Sequence, residues 1–536
     1  MGELTAGDNA DTHGKPAPAS PAGLHSYVGN IGVWRITGWQ GLLIVICLAL
    51  TLRVAFLGHR PFYGDEILTV EAAKLGIVSD KSELGPPHWH PPLHYAAYNI
   101  AWRLGATSEF GWRLPAVFFG VLVAVGVFLT ALFAGARRIS LIAGIVAALS
   151  PYGVLISQNA RWHPVAGGLL AVSCALMTYA TARRKLWAWV TAGIILALTF
   201  YTIFLAAMIA AVLYLVFFVY LVASRKPVGG VIISAAVFLG CIFPVLINAS
   251  DSVTPHNLMS QIVQPAWPVL GKGLLLLQNT TLGPTVLPWN WVPNLLAVVA
   301  FGVPGYFFFA SQDRALRRLR APLVSLMVGW LLVATLLPVA SHPKYWLVLL
   351  VPVSIGVGGG LIHTRPLWLR WSLAVVVVGL MSYSLFNLYT GRQYQYLEFV
   401  DDWRKLAQEA HAAADSNTAV LSINRPFVYY YGPEAQDVMN AAVSREPLPD
   451  IVKNLDADRV IVQYSPLSGW SNIDFETLGE RVEQALKEGG YHREWLRRYG
   501  HDPHAKIKRR YMAGRSFPDY RHCLTLYVQK DRDRDR

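Results

Sequence analysis

Between residues 39 and 388 the chain is a succession of apolar runs, most of them close to the ~20 residues a helix needs to cross a hydrocarbon core. Eleven can be drawn, at 39–57, 114–133, 140–156, 165–182, 186–204, 206–222, 229–246, 292–310, 323–339, 345–362 and 371–388. Hydrocarbon offers no partner for a backbone N–H or C=O, so segments of this kind have to be helices that satisfy themselves. Only 15% of the residues are charged and 54% are hydrophobic, against about 25% charged in soluble domains. The expected fold class is therefore a polytopic α-helical membrane protein of about eleven spans.

The connectors set the orientation. Arg137-Arg138, Arg183-Arg184-Lys185, Arg225-Lys226, the arginines of 314–320, and Arg365 with Arg370 occupy every second connector. By the positive-inside rule these are cytoplasmic. The N-terminus is then inside. The loop 58–113, the turns at 158–164, 201–202 and 341–344, the loop 248–291 and everything beyond Thr390 are outside. An odd number of spans agrees with ends on opposite sides. The same bias accounts for the net charge of +13, so no nucleic-acid partner is inferred. Cys47, Cys174, Cys241 and Cys523 have no metal-ligand spacing and suggest no disulfide framework. Residues 1–38 are expected to be a disordered cytoplasmic tail, since the polar and Ala/Gly/Pro-rich start lacks the apolar core of a cleaved signal. The tail 390–536 changes character, and helical periodicity at 401–413 and 475–489 alternates with strand-like runs at 418–423, 459–464 and 523–529. That pattern predicts a soluble α/β domain outside the membrane, after the transmembrane unit 39–389.

The chemistry concentrates in the first outer loop. Asp65 and Glu66 follow directly on the first apolar run, and bare carboxylates at a hydrocarbon edge are functional candidates by default. Neighbouring helical residues point about 100° apart, so the pair suits two roles better than one shared proton. Asp65 is placed to take a proton from an acceptor hydroxyl, and Glu66 to orient that acceptor or bind a metal. The plainer reading is an N-cap at Asp65 and a favourable helix-dipole contact at Glu66. A helix is expected from Asp65 to Lys74, ended by Gly76, and a second from Leu93 to Arg103 behind Pro91-Pro92. His90 and His94 are candidates for holding a phosphate, a metal or a sugar hydroxyl, or simply interfacial side chains. Arg161 and Lys344, with Tyr345 beside it, are outer cations that run against the positive-inside bias. An anionic lipid phosphate explains them, as does snorkelling to headgroups. No P-loop or dinucleotide fingerprint is present, so the energy for any transfer has to come from an activated substrate such as a lipid-phosphate sugar. No cofactor is called for, and a divalent metal is the one left open.

These motifs together resemble the membrane glycosyltransferases of the GT-C class, in particular the bacterial branch related to dolichyl-phosphate-mannose–protein mannosyltransferases and lipid A aminoarabinose transferases. The resemblance is carried by Tyr63-Gly64-Asp65-Glu66, His90-Pro91-Pro92-Leu93-His94-Tyr95, Glu109 to Pro115, Ser150-Pro151-Tyr152, Ser157-Gln158-Asn159-Ala160-Arg161 and Asp402-Trp403-Arg404. It implies a polyprenyl-phosphate sugar donor, inverting transfer with Asp65 as base, and an extracytoplasmic lipid, glycan or protein acceptor at the plasma membrane. Two positions depart from it. Asn159 stands where the family often has Glu, and Lys344 where it often has Arg, which removes bidentate phosphate geometry. The alternative class is a lipid-linked sugar flippase, which should show internal repeats and broken mid-membrane helices; no convincing repeat is visible.

Overall fold

A computed structural model describes residues 24–31, 34–76, 91–248, 278–287, 290–336, 347–392, 401–438, 455, 457–464, 475–501 and 520–529. The chain enters through a short antiparallel hairpin, β1 (Tyr27–Ile31) and β2 (Trp34–Thr37). Helix α1 (Gly38–Val54) follows, opened by Thr37, whose hydroxyl accepts from the Gln40 N–H while the Gln40 amide oxygen accepts from the Thr37 N–H. This reciprocal pair satisfies donors that a helix start leaves open.

The 58–113 connector holds two short helices, α2 (Gly64–Leu75) and α3 (Pro92–Arg103), close to the expected limits. The long apolar helix α4 (Glu109–Phe133) then runs back, started by Ser108. The third apolar run is not one straight helix. It breaks into α5 (Arg137–Leu149) and α6 (Pro151–Ser157), bent by 58°. Pro151 has no N–H to continue the ladder, and the Ser150 hydroxyl starts α6 by accepting from Gly153 at 3.2 Å. Then come α7 (Trp162–Arg183), α8 (Leu186–Phe200), α9 (Ala206–Ala223), α10 (Gly229–Asn248), α11 (Trp291–Ala310), α12 (Arg314–Leu336), α13 (Leu350–His363) and α14 (Leu367–Tyr389). By length and composition five of these helices can each cross a membrane, six if α5 and α6 form one span. Four shorter apolar helices lie among them, at Gly38–Val54, Leu186–Phe200, Gly229–Pro244 and Leu347–His363. The chain is thus an integral membrane protein of helical build.

Helices α4 and α7 form the tightest pair, and small residues are the reason. A Cβ at Gly126 would lie 2.6 Å from the Ala171 backbone, and one at Gly168 only 2.5 Å from the Phe119 carbonyl. Between apolar helices in lipid, close backbone approach of this kind supplies the packing energy that hydrophobicity cannot. It fixes the two helices against each other, and the site is built on their N-terminal ends.

Beyond α14 the described chain forms an α/β unit. Helix α15 (Trp403–Ala413) leads to β3 (Thr418–Ser422), helix α16 (Arg425–Tyr431), β4 (Ala435–Asp437), β5 (Arg459–Tyr464), helix α17 (Phe475–Glu488), β6 (Tyr491–His501) and β7 (Tyr520–Gln529). The strand order is β4-β3-β5-β7-β6, with the first three parallel and the last two joined antiparallel. The expected helices and strands of the tail are present. Helix α16 and strands β4 and β6 were not expected from the sequence, and α16 is the element of this unit that packs on α2.

Candidate functional site

Helix α2 is capped two residues earlier than the carboxylates suggested. Tyr63 is the N-cap, with extended φ/ψ of −97° and 170°, and its carbonyl accepts from Glu66 and Ile67. Asp65 is therefore not the cap but a first-turn residue, as is Glu66, and both favour the positive helix end. Gly76, at φ +122°, ends the helix in a conformation that only glycine adopts cheaply.

The two carboxylates part company at once. Glu66 is 1% exposed and fully engaged. Arg113, near the start of α4, donates from Nε to Oε1 at 2.8 Å and from Nη2 to Oε2 at 2.7 Å. The Ala160 N–H, just before α7, donates to Oε1 at 2.7 Å, and the Tyr63 N–H to Oε2 at 3.4 Å. Arg113 spends its other N–H groups on the carbonyls of Leu57, Arg60 and Pro61 at 2.8–3.0 Å. All five guanidinium donors are met, which makes this a buried charge pair of the fully satisfied kind. One hub thus ties α2, α4, the entry to α7 and the 57–61 turn together. Glu66 was expected to orient an acceptor or bind a metal. Its oxygens are instead taken up by protein donors, so it holds the scaffold.

Asp65 points elsewhere. Its side chain is 41% exposed, with Oδ2 3.4 Å from Nη2 of Arg161, which is itself 8% exposed. Arg161 also donates from Nη1 to the Asp65 carbonyl at 2.9 Å and to the Thr69 hydroxyl at 3.1 Å. Arg161 was expected to meet the carrier phosphate; the structure brings it first to Asp65. Its own carbonyl accepts from the Tyr98 hydroxyl at 2.8 Å. Burial, with the Glu66 charge adding, pushes the Tyr98 phenol well above its ordinary pKa and keeps it a donor.

His94 is completely buried between α2 and α3. Its Nε2 lies 3.4 Å from the Thr69 hydroxyl, and its ring packs on Tyr95 and edge-on to Tyr98. Sequence position suggested a ligand-binding histidine; in this structure its ring has no exposed surface and packs between the two helices. His90, Lys344 and Tyr345 lie outside the described residues. Among the described residues no group of three or more His, Cys, Asp or Glu is placed to hold a metal.

The α/β unit closes on this loop, and only the Asp402-Trp403-Arg404 motif had hinted at such a contact. Arg425 pairs with Glu71 at 2.8 Å. The Phe62 N–H donates to the Tyr430 hydroxyl at 2.6 Å, and that hydroxyl donates to Glu109 at 3.0 Å. Arg404 donates to the His59 carbonyl at 2.6 Å and lies 3.6 Å from Glu109. Pro426 stands under 4 Å from where a Cβ on Gly64 would be, so α16 forms a wall beside Asp65.

The family model for dolichyl-phosphate-mannose-protein mannosyltransferases matches residues 89–247. No curated protein matches the sequence. Among solved structures, ArnT from Cupriavidus metallidurans bound to undecaprenyl phosphate has a TM-score of 0.57 at 12% identity, over 91% of this chain and 98% of that one. AglB from Archaeoglobus fulgidus, in complex with an inhibitory peptide and a dolichol-phosphate, has a TM-score of 0.52 at 12% identity, over 91% of this chain and 88% of that one. At these identities the likeness is one of fold, and the fold is that of the GT-C glycosyltransferases, in agreement with the resemblance carried by the motifs.

Proposed function

We propose that the protein transfers a sugar from a polyprenyl-phosphate donor to an extracytoplasmic lipid, glycan or protein acceptor. Asp65 is the base in this reading. It removes the acceptor hydroxyl proton as the new C–O bond forms at the anomeric carbon and the lipid phosphate leaves, with inversion. The observation that carries the proposal is the division of labour on α2. Glu66 is held by four protein donors, while Asp65, one residue away, is exposed and oriented by Arg161 at 3.4 Å. A base has to reach the proton it removes, and of the two carboxylates only Asp65 is exposed.

Arg161 also fits a contact to the donor phosphate, since a planar guanidinium matches phosphate oxygens. Lys344, Tyr345 and His90 are assigned to the same substrate on their sequence positions. Eleven spans, an inside N-terminus and a soluble outer α/β domain complete the scheme, supported by the charge alternation of the connectors. Support for the lipid-linked donor comes from ArnT and AglB, which share the fold and were solved with undecaprenyl phosphate and dolichol-phosphate.

Mass spectrometry of envelope lipids, glycans and glycoproteins from a deletion strain tests the proposal. Loss of one glycose unit, restored by the wild-type gene, is the expected outcome. An unchanged envelope glycome rules it out.

A further inference from the structure

Arg53, in the last turn of α1, is the only charged residue of that helix and has no exposed surface. Its donors reach three elements. Nη1 donates to the Ala49 carbonyl of its own helix at 3.2 Å and to the Ala148 carbonyl, in the last turn of α5, at 3.1 Å. Nε donates to the hydroxyl of Ser157, the last residue of α6, at 3.2 Å. Nη2 is buried without a hydrogen-bond partner, and no carboxylate lies within ion-pair distance of Arg53 among the described residues. A charge inside a helical membrane bundle is expensive, and an apolar side chain would fill the same space at lower cost. A charge kept there without a counter-charge calls for a role beyond packing.

That role follows from where the donors land. Helices α5 and α6 are two pieces of one run, bent by 58° at Pro151. A break of this kind frees carbonyls at the end of the first piece. The guanidinium takes one of them and grips the far end of the second piece. Two glycines make room for it. A Cβ on Gly120 of α4 would stand 2.0 Å from the Ser157 Oγ and 3.1 Å from the Arg53 Nε, and one on Gly153 of α6 would stand 3.3 Å from Nη2. The chain beyond Ser157 is fastened to the same helix end, because the Gln158 amide donates to the Arg53 and Ala55 carbonyls at 3.0 and 2.8 Å. Two residues further on, the Ala160 N–H meets Glu66 at 2.7 Å, and Arg161 then meets Asp65 at 3.4 Å.

We propose that Arg53 is a positioning residue for the site: by bridging the α5–α6 break it sets the turn 158–161, and so holds Arg161 against Asp65. It touches neither substrate nor carboxylate and acts through Ser157 and Gln158. Its importance for turnover rests on the transfer reading given above, but its hold on the turn does not.

Amide hydrogen exchange of the full-length protein in detergent tests the hold. Arg53→Met removes the donors together with a buried charge that has no counter-charge, so the unfolding temperature should stay near that of the wild type. Exchange over residues 157–163 should nevertheless quicken at least fivefold, with the α4–α7 contact around Gly126 and Ala171 unchanged. Arg53→Lys, which keeps the charge and some donors, should fall between the two. Ser157→Ala cuts the link on the α6 side alone, should move the same residues in the same direction, and carries the test if Arg53→Met fails to fold. Wild-type exchange at 157–163 in both Arg53→Met and Ser157→Ala overturns the proposal. So does quickening spread evenly over α1, α4 and α7 with a matching fall in unfolding temperature, which is what a general packing role gives. Titration with undecaprenyl phosphate then tests the path through Arg161. Arg53→Met should weaken binding several-fold in the wild-type background and have no further effect in Arg161→Gln, as expected of coupled residues; equal losses in both backgrounds overturn the assignment. A wild type that does not bind undecaprenyl phosphate counts against the lipid-linked donor, and the exchange result then decides the role of Arg53 by itself.

Discussion

The two sides of helix α2 differ more than their sequence does. On the inner side Glu66, 1% exposed, meets four donors from three segments of chain. On the outer side Asp65, 41% exposed, meets one arginine at 3.4 Å. Both are carboxylates in one helical turn, and the ~100° step between neighbours sends them to different surroundings. The contrast teaches how a membrane-edge site can be both rigid and reactive. A buried, fully bonded charge supplies the position, and its neighbour keeps an exposed carboxylate.

The sharpest way to break the comparison is Asp65→Asn. Size and helix-start compatibility are kept while basicity is lost, so turnover should fall by about 10²–10⁴-fold with thermal stability near wild type. A folded Asn variant with full activity on its true acceptor would end the claim that Asp65 is catalytic. Glu66→Ala should show the opposite profile. It strands Arg113 without its partner in a buried place, at a cost of roughly 3–5 kcal/mol, read as a large drop in unfolding temperature in detergent. If stability were unchanged, the hub would not be holding the scaffold.

A smaller effect is expected where α16 closes on the loop. Tyr430→Phe removes the acceptor for the Phe62 N–H and the donor to Glu109, for about 1 kcal/mol apiece. Loosening of α2 should then show as a several-fold loss of turnover; turnover as in the wild type would mean that the α/β unit does not position Asp65. The smallest effect serves as an exposed counterpart to Arg113–Glu66. Asp415, which is exposed, pairs with the partly exposed Arg459 at 2.7 Å. The Thr418 hydroxyl first, then Arg459, hold its carboxyl down at about 2. A depressed carboxylate stabilises above its unfolded pKa near 4, and that contribution fades as pH falls from about 4 to 2. With solvent screening it is worth under about 1 kcal/mol. Asp415→Asn should therefore flatten the acid limb of the unfolding curve only slightly, and a shift as large as that of Glu66→Ala would undo the distinction between the two pairs.

Much of this was legible in the residues. The apolar runs, the two short helices of the first outer loop and the alternating elements of the tail are local patterns, and the structure has helices or strands at each of them in the described residues. Asp65-Glu66 could be singled out because carboxylates at a hydrocarbon edge are costly wherever the chain goes. What the sequence hid was partnership. Arg113 lies 47 residues from Glu66 and Tyr430 lies 321 from Glu109, and no periodicity reports separations of that kind. Helix α16, only seven residues long, was too short to leave a periodic signal. His94 looked like a ligand because it follows His90 and two prolines; only the packing of α3 on α2 shows it sealed from solvent.

Composition and hydropathy by themselves determined that this chain is a helical membrane protein, because hydrocarbon accepts nothing else from runs of that length. The spacing of its motifs pointed to the class of fold. Which carboxylate is buried in the hub and which stays exposed was decided only in three dimensions. That choice depends on what the close α4–α7 pair brings to each side of α2: a guanidinium and a backbone N–H to Glu66, and Arg161 to Asp65.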